Sequence, residues 1–234
     1  MKTGLVVLCR FASRRLPGKI LREIRGRSVL GHIVDRLGRG APDRPVVVAT
    51  SLAASDDPIA DYCRRSGLTC FRGSLDDVAG RFLACAEQQG WDFAVRINGD
   101  NLFTDPETLR DMLTIADSDA YDFVTNVPGR TFPYGMSIEV LRVSFYRQVI
   151  EKLQQPADRE HVTSWLYQNP QVGRRMTYEN RRCPEARGLQ LALDTDEDFA
   201  RLSNIVMQME GAPSSYGLAE IAGLATAHLD GGRA

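Results

Sequence analysis

The stretch "GLVVLCRFASRRLPGK" (residues 4–19) joins two unlike halves. The first six residues are apolar, valine-rich and without alternation, which predicts a short strand buried on both faces. "PVVVAT" (45–50) has the same character, and Val29, Leu30, Ile33, Val34 and Leu37 lie between the two runs at helical spacing. A helix starting near Asp57-Pro58 leads to a third strand, "LTCFRG" (68–73). A helix over 76–89 carries Val78, Phe82 and Ala86 on one face, and "DFAVRIN" (92–98) forms a fourth strand ending at "GDN". Buried strands alternating with helices imply a parallel α/β sheet with right-handed crossovers.

The second half of the stretch holds four cations, Arg10, Arg14, Arg15 and Lys19. The carboxyl end of a parallel strand is where ligands of such sheets bind. Cations gathered there repel one another until an anion arrives, so the loop implies a ligand with several phosphates; a solvated basic loop is the alternative. Ser13 adds a hydroxyl, Pro17 stiffens the turn and Gly18 allows close backbone approach. Ser13 stands where a Walker A loop needs its first glycine and Ile20 where it needs Ser or Thr, and there is no dinucleotide-binding G-x-G-x-x-G.

Composition narrows the function classes. The 234 residues are 43% hydrophobic and 25% charged with a net charge of -1, which argues against a general nucleic-acid or membrane binder. The charge is divided, +8 over residues 1–44 and -9 over the rest. Five cysteines without a C-x-x-C pair read as reduced core thiols of a cytoplasmic protein, and the three scattered histidines give no zinc signature. "GLVVLC" is too short for a signal peptide, no apolar run reaches a membrane span, and "DGGRA" (230–234) reads as a frayed tail.

After Asp119 the pattern changes. Strands are predicted over 121–126, 137–141 and 189–195, and helices over 143–154, 159–168, 196–210 and 217–229. With no linker in view, the expectation is one domain over 1–234 with a substrate-side insertion at 121–188, itself a plausible dimer interface.

Seven motifs, in order, carry a resemblance: "RFASRRLPGK", "VVVATS" with Asp56-Asp57-Pro58, "FRGSLDDVAGRF", "VRINGDN", "FPYGMSIEV", "DREHVT" and "LDTDEDF". Together they resemble the CMP-sugar-acid synthetase group, most closely its SpsF-like spore-coat polysaccharide cytidylyltransferase branch. The resemblance implies a nucleotide-diphospho-sugar transferase-like, Rossmann-like fold. It also implies transfer of CMP from CTP to a small acidic acceptor, with Mg²⁺ and release of diphosphate. Arg10, Ser13, Arg15 and Lys19, with Gly18, carry over to the triphosphate loop, Arg14 being at a variable position. Arg72, Gly73 and Ser74 fall near the base, although Asp76 and Asp77 also suit a plain helix cap; Asn98 and Gly99 lead to the metal-binding Asp100. Lys19, Arg10 and Asp100 are the expected catalytic group. Leu102 replaces a common proline and Tyr134 precedes Gly135, which leaves the acceptor unidentified.

Mg²⁺ needs oxygen ligands, so acids must converge at strand ends. Asp194, with Asp196 and Asp198 as competitors, is the expected partner of Asp100; "DTDED" also reads as a helix N-terminus. On the acceptor side stand Tyr134, Gly135, Glu139, Arg159, Glu160, His161 and Thr163. Arg159 suits a carboxylate or phosphonate and His161 could orient or deprotonate a nucleophile. A capped helix with buried Val162, Trp165 and Leu166 competes with that reading, and a structural ion pair competes for Glu139. Two other functions fit such a fold, a nucleotide-sugar glycosyltransferase and a non-catalytic nucleotide-binding subunit. "NGD" lacks the D-x-D spacing of the first, and Lys19, Asp100 and Asp194 argue against the second.

Overall fold

The computed structural model describes residues 1–13 and 15–231, with side chains through 227; Arg14 and residues 232–234, hence part of the expected frayed tail, lie outside it. In chain order the elements are β1 (Thr3–Leu8), β2 (Glu23–Ile24), β3 (Arg27–Ser28), α1 (Val29–Gly40), β4 (Val46–Ser51), α2 (Asp57–Arg65), β5 (Thr69–Gly73), α3 (Val78–Gln88) and β6 (Phe93–Asn98). Then follow α4 (Pro106–Asp117), β7 (Phe123–Thr125), β8 (Glu139–Arg142), α5 (Val143–Ile150), α6 (Pro156–Glu160), α7 (Ser164–Gln168), β9 (Arg175–Thr177), α8 (Asp196–Gln208) and α9 (Leu218–Gly231).

Seven strands form one sheet in the order β5-β4-β1-β6-β8-β7-β9, and β2-β3 is a separate small ribbon. The first four are parallel, β8 runs antiparallel to both β6 and β7, and β9 lies parallel to β7. The 121–188 segment thus extends the same sheet. The unbroken apolar character of β1 has a direct cause. Leu5 and Val7 enter one core with Ile33 of α1, Met112 of α4 and Ile205 of α8. Val6 and Leu8 enter the opposite core with Phe82 of α3, Tyr146 of α5 and Leu166 of α7. Among the described residues no helix is long and apolar enough to cross a membrane.

Several sequence expectations change. Helix α4 and strand β9 were not foreseen, although Asp105 caps Thr108 and Pro106 opens α4 in a typical N-terminal arrangement. The helix expected over 143–154 stops at Ile150, and α9 runs to Gly231. The helix expected over 159–168 is two short ones broken at His161–Thr163, where Val162 has φ 53°. The expected strand over 189–195 is an extended segment with one bridge, Tyr134 to Gln190. Its neighbour is the 132–136 loop, which offers only Tyr134 N–H to Leu189 and Tyr134 O to Leu191 and builds no ladder.

Asp122 ties the antiparallel extension together. Arg142 Nε and Arg174 Nη2 each stand 2.9 Å from its Oδ1, and the Arg174 backbone N–H donates to Oδ2. The Arg174 guanidinium and amide, aided by Arg142, outweigh partial burial and hold the Asp122 carboxyl down from 3.8 to about 2. Because the folded value lies below the unfolded one, this stabilisation is complete above pH 3.8 and is lost as pH falls through about 2. Asp122→Asn is therefore expected to lower stability by about 1–3 kcal/mol at pH 7. In urea titrations at descending pH, the gap from the unsubstituted protein should close; a gap independent of pH would refute the assignment.

Candidate active site

The carboxyl ends of β1 and β6 open into a cavity of about 450 Å³, lined by Arg10, Ser13, Arg15 and Lys19 from the basic loop, Asn98, Gly99 and Asp100 from the turn after β6, Glu160 and His161 after α6, and Asp194. Sequence-distant groups expected to act together thus face one space.

The loop is folded back on its first residues. Phe11 O accepts N–H from Ser13 and Gly18 at 2.9 and 2.8 Å. Its entrance is fixed by Asp56, a fully buried carboxylate. Oδ1 accepts the Phe11 N–H at 2.7 Å, and Oδ2 accepts both the N–H and the hydroxyl of Ser51 at 3.0 and 2.5 Å. Burial alone would raise its pKa, but these donors outweigh it and hold the carboxyl below its usual range. In the sequence Asp56 entered only as part of a motif; in the structure it anchors the basic loop to β4. Gly99 permits the adjoining turn to approach, since a methyl there would lie 2.8 Å from Cys9 Cβ and 3.2 Å from Leu8 O.

Cations and acids meet at the far wall. Lys19 Nζ donates to Leu193 O at 2.5 Å and lies 3.1 Å from Asp194 Oδ1, while Arg15 lies 2.9 Å from Asp194 Oδ2. Of the three competing acids, Asp194 faces the cavity. Asp196 pairs with Arg22, and Asp198 completes a capping box with Thr195 and binds Arg201. The segment is set by Gly135 (φ 84°), whose added methyl would strike the Leu191 and Ala192 backbone at 2.4 Å, and by Leu193 N–H donating to Asp100 O at 3.1 Å. Asp100 Oδ1 is buried with no donor. Burial raises its pKa, with Lys19 pulling it down and Asp194 pushing it up. A buried, donorless carboxylate oxygen beside a second carboxylate is a suitable environment for a hard cation. No cluster of three or more metal-ligating side chains occurs among the described residues, so Asp100 and Asp194 could supply only part of an ion's shell.

Other expected residues lie behind the cavity rather than on it. Arg72 donates to the carbonyls of Ser51 and Ala53 and pairs with Asp57. Ser74 Oγ accepts the Asp77 N–H, and Gly73 packs under Arg81. Tyr134 and Gly135 hold the 189–193 segment. Arg159 pairs with Asp77 at 3.1 Å and does not line the cavity, because its guanidinium is turned toward α3 and the Ile150 and Leu153 carbonyls. Glu139 is buried, bound to Arg96 and to the Tyr167 hydroxyl; it is the ion pair that had been its alternative reading. Thr163 is buried behind His161 and lies 3.4 Å from Arg96 Nη1. Glu160 pairs with Arg10 at 3.5 Å at the edge of the cavity, and His161 is exposed and lines it. That exposure rests on the strained Val162, whose carbonyl accepts the buried Tyr146 hydroxyl at 2.7 Å.

Two charged lining residues were missed, Arg81 and Arg96. Both are charged positions within apolar patterns, "GRFLACA" and "FAVRIN", a legible but unused signal. Arg81 is 4% exposed, donates to the Ser74 and Leu75 carbonyls and has a buried, unpartnered Nε. Burial lowers its pKa. Cys9 also lines the cavity, but burial pushes its thiol up, so it stands there uncharged.

The profile of the family described as Cytidylyltransferase matches residues 5–218. The spore coat polysaccharide biosynthesis protein SpsF of Bacillus subtilis is 30% identical over 219 residues, covering 89% of this chain and 88% of its own. The structure of a cytidylyltransferase from Leptospira borgpetersenii superposes with a TM-score of 0.90 at 27% identity, covering 98% of this chain and 96% of that one. CMP:2-keto-3-deoxy-manno-octonic acid synthetase, solved with CTP, shares the fold with a TM-score of 0.69 at 18% identity, covering 89% and 99%.

Asp56→Asn should uncouple the loop from β4, because an amide nitrogen would meet N–H or O–H donors. A loss of about 2–4 kcal/mol is expected in denaturant titration. Faster hydrogen exchange at the Phe11 amide should accompany it, and unchanged exchange would remove Asp56 from the loop's support.

Proposed function

The chain belongs to the cytidylyltransferase family, and on that footing we propose that it transfers CMP from CTP to a small acidic acceptor, a sugar acid or a phosphonate or carboxylate metabolite, with release of diphosphate. The observation that carries this reading is the single cavity in which Arg10, Arg15 and Lys19 face Asp100 and Asp194. Three cations suit the β- and γ-phosphates, and two acids suit a cation that would otherwise be repelled. A protein of the same fold solved with CTP is consistent with the nucleotide.

The acceptor oxygen attacks the α-phosphorus, and the bond to the bridging α–β oxygen breaks in line with it. Such a displacement asks the protein for placement and charge stabilisation more than for covalent chemistry. Lys19, Arg10 and Arg15, with the Ser13 hydroxyl, hold the departing diphosphate. Lys19 and Arg15 already lie against Asp194, so their charge is partly offset and they are held in place before nucleotide arrives. Asp100 and Asp194 would hold Mg²⁺, which when bound screens the phosphates from one another. Asn98 and Gly99 border the nucleotide, with the Arg72–Ser74 turn behind its base side. His161 and Glu160 face the acceptor, where His161 orients or deprotonates the attacking group.

We place the enzyme in the cytoplasm, supported by five free cysteines, and expect a homodimer using the 121–188 segment, whose β9 is a terminal strand of the sheet.

The deciding assay is diphosphate release with each of the four ribonucleoside triphosphates and a panel of sugar acids and phosphonates. CTP should be preferred, and equal turnover with ATP or GTP would end the proposal. Lys19→Met should lower kcat at saturating CTP at least a hundredfold, roughly 3 kcal/mol, while preserving the fold by circular dichroism. Near-normal rates would return the loop to solvated surface. His161→Ala should raise the acceptor KM or lower kcat with the CTP Kd unchanged within about threefold, since it lies in the turn after α6 and not in the basic loop. A collapse of CTP affinity alone would place it on the nucleotide side.

A further inference from the structure

Strand β6 presents Ala94, Arg96 and Asn98 to the face shared with α3 and α7, while Phe93, Val95 and Ile97 fill the opposite core. A guanidinium in the middle of a buried strand is costly unless its charge is met. Glu139 of β8 meets it. That carboxylate is 1% exposed, binds Arg96 Nη1 through Oε2 and accepts the Tyr167 hydroxyl at Oε1, 2.5 Å away; Thr125 Oγ1 lies 2.8 Å behind Tyr167. Thr163 Oγ1 also lies near Nη1. All of this support falls on one nitrogen. Arg96 Nε is buried without any partner, and Nη2 has no hydrogen bond among the described residues. Yet the side chain lines the cavity beside Asp100 and His161.

We propose that Arg96 is the residue that reads the acid group of the acceptor, its Nη2 engaging a carboxylate or phosphonate while Glu139 holds Nη1. This rests on the cytidylyltransferase reading and assigns its acceptor side. A guanidinium clamped at Nη1 holds Nη2 in a fixed plane, so its N–H donors are pre-aimed at an acid group. The placement is also economical for the reaction. It fixes the acceptor's charge near the His161–Thr163 segment, since Thr163 Oγ1 lies 3.4 Å from Arg96 Nη1. Arg159 does not line the cavity, and Asp77 and two carbonyls each engage one of its nitrogens.

Arg96→Lys separates recognition from structure. An ammonium still offers Glu139 a positive partner but has no second nitrogen to turn toward the cavity. A double variant, Arg96→Met with Glu139→Met, removes both charges together and guards against a buried unpaired carboxylate. Methylphosphonate and acetate would be titrated calorimetrically into the Mg²⁺–CTP-saturated protein, with neutral dimethyl methylphosphonate as control and CTP affinity measured in parallel. The unsubstituted protein should bind at least one anion and not the neutral ester. Both variants should weaken that binding at least tenfold while the CTP Kd shifts less than threefold. Anion binding unchanged in folded Arg96→Lys, no anion binding by the unsubstituted protein, or an equal loss of CTP affinity would each overturn the assignment. Failure of CTP to bind the unsubstituted protein would instead sink the nucleotide reading, and the same anion titrations without nucleotide would still decide Arg96.

Discussion

The contact between Lys19 and the Leu193–Asp194 segment carries the organisation of the site. The groups are 174 and 175 residues apart in sequence, and Lys19 is the more buried partner, with a side chain 13% exposed. Arg15 adds a second cation to Asp194, but 64% of its side chain is exposed, so that pair contributes little to stability. What the arrangement supplies is order. A loop of like charges would spread in water. Here it is drawn against a carboxylate on one side and hung from Asp56 on the other. The loop is thereby held in one arrangement, which would lower the cost of ordering it on an anion.

A second constraint joins the parallel half of the sheet to its antiparallel extension. Thr125 of β7, Tyr167 of α7, Glu139 of β8 and Arg96 of β6 form one hydrogen-bonded chain across three strands and a helix. Burial opposes the charge on Arg96, but the nearby Glu139 outweighs it and holds the guanidinium pKa above its ordinary value. Such a chain is costly if any member is removed singly, because the remainder is left charged and dry. It also delivers a cation to the cavity from the core, where its position cannot drift as a surface arginine's could.

The third element is backbone strain. Val162 is β-branched, fully buried and left-handed, an arrangement that persists only when its surroundings impose it. Tyr146 bonds its carbonyl from below, and the break between α6 and α7 turns His161 outward. The residues proposed to face the acceptor thus sit at a corner between two short helices instead of on a regular helix face.

The parallel half of the fold was legible in residues 4–9, 45–50, 68–73 and 92–98, because strands buried on both faces need continuous apolar side chains and that requirement is local. The basic loop was legible for a similar reason: four cations at a strand end have few uses other than an anion. Asp100 and Asp194 were also visible as acids after apolar runs, although the run before Asp194 is no strand. Its partner is a loop held at Gly135, and a hydrogen-bond ladder depends on what lies alongside. Which acid of "DTDED" faces the cavity, whether Glu139 or Arg96 meets it, and where Arg159 points could not be read from spacing. An acidic or basic side chain looks the same in sequence whether it faces a ligand or a partner far along the chain. Only the tertiary structure pairs Glu139 with Arg96 and Arg159 with Asp77, because those choices depend on which distant charges share a low-dielectric space.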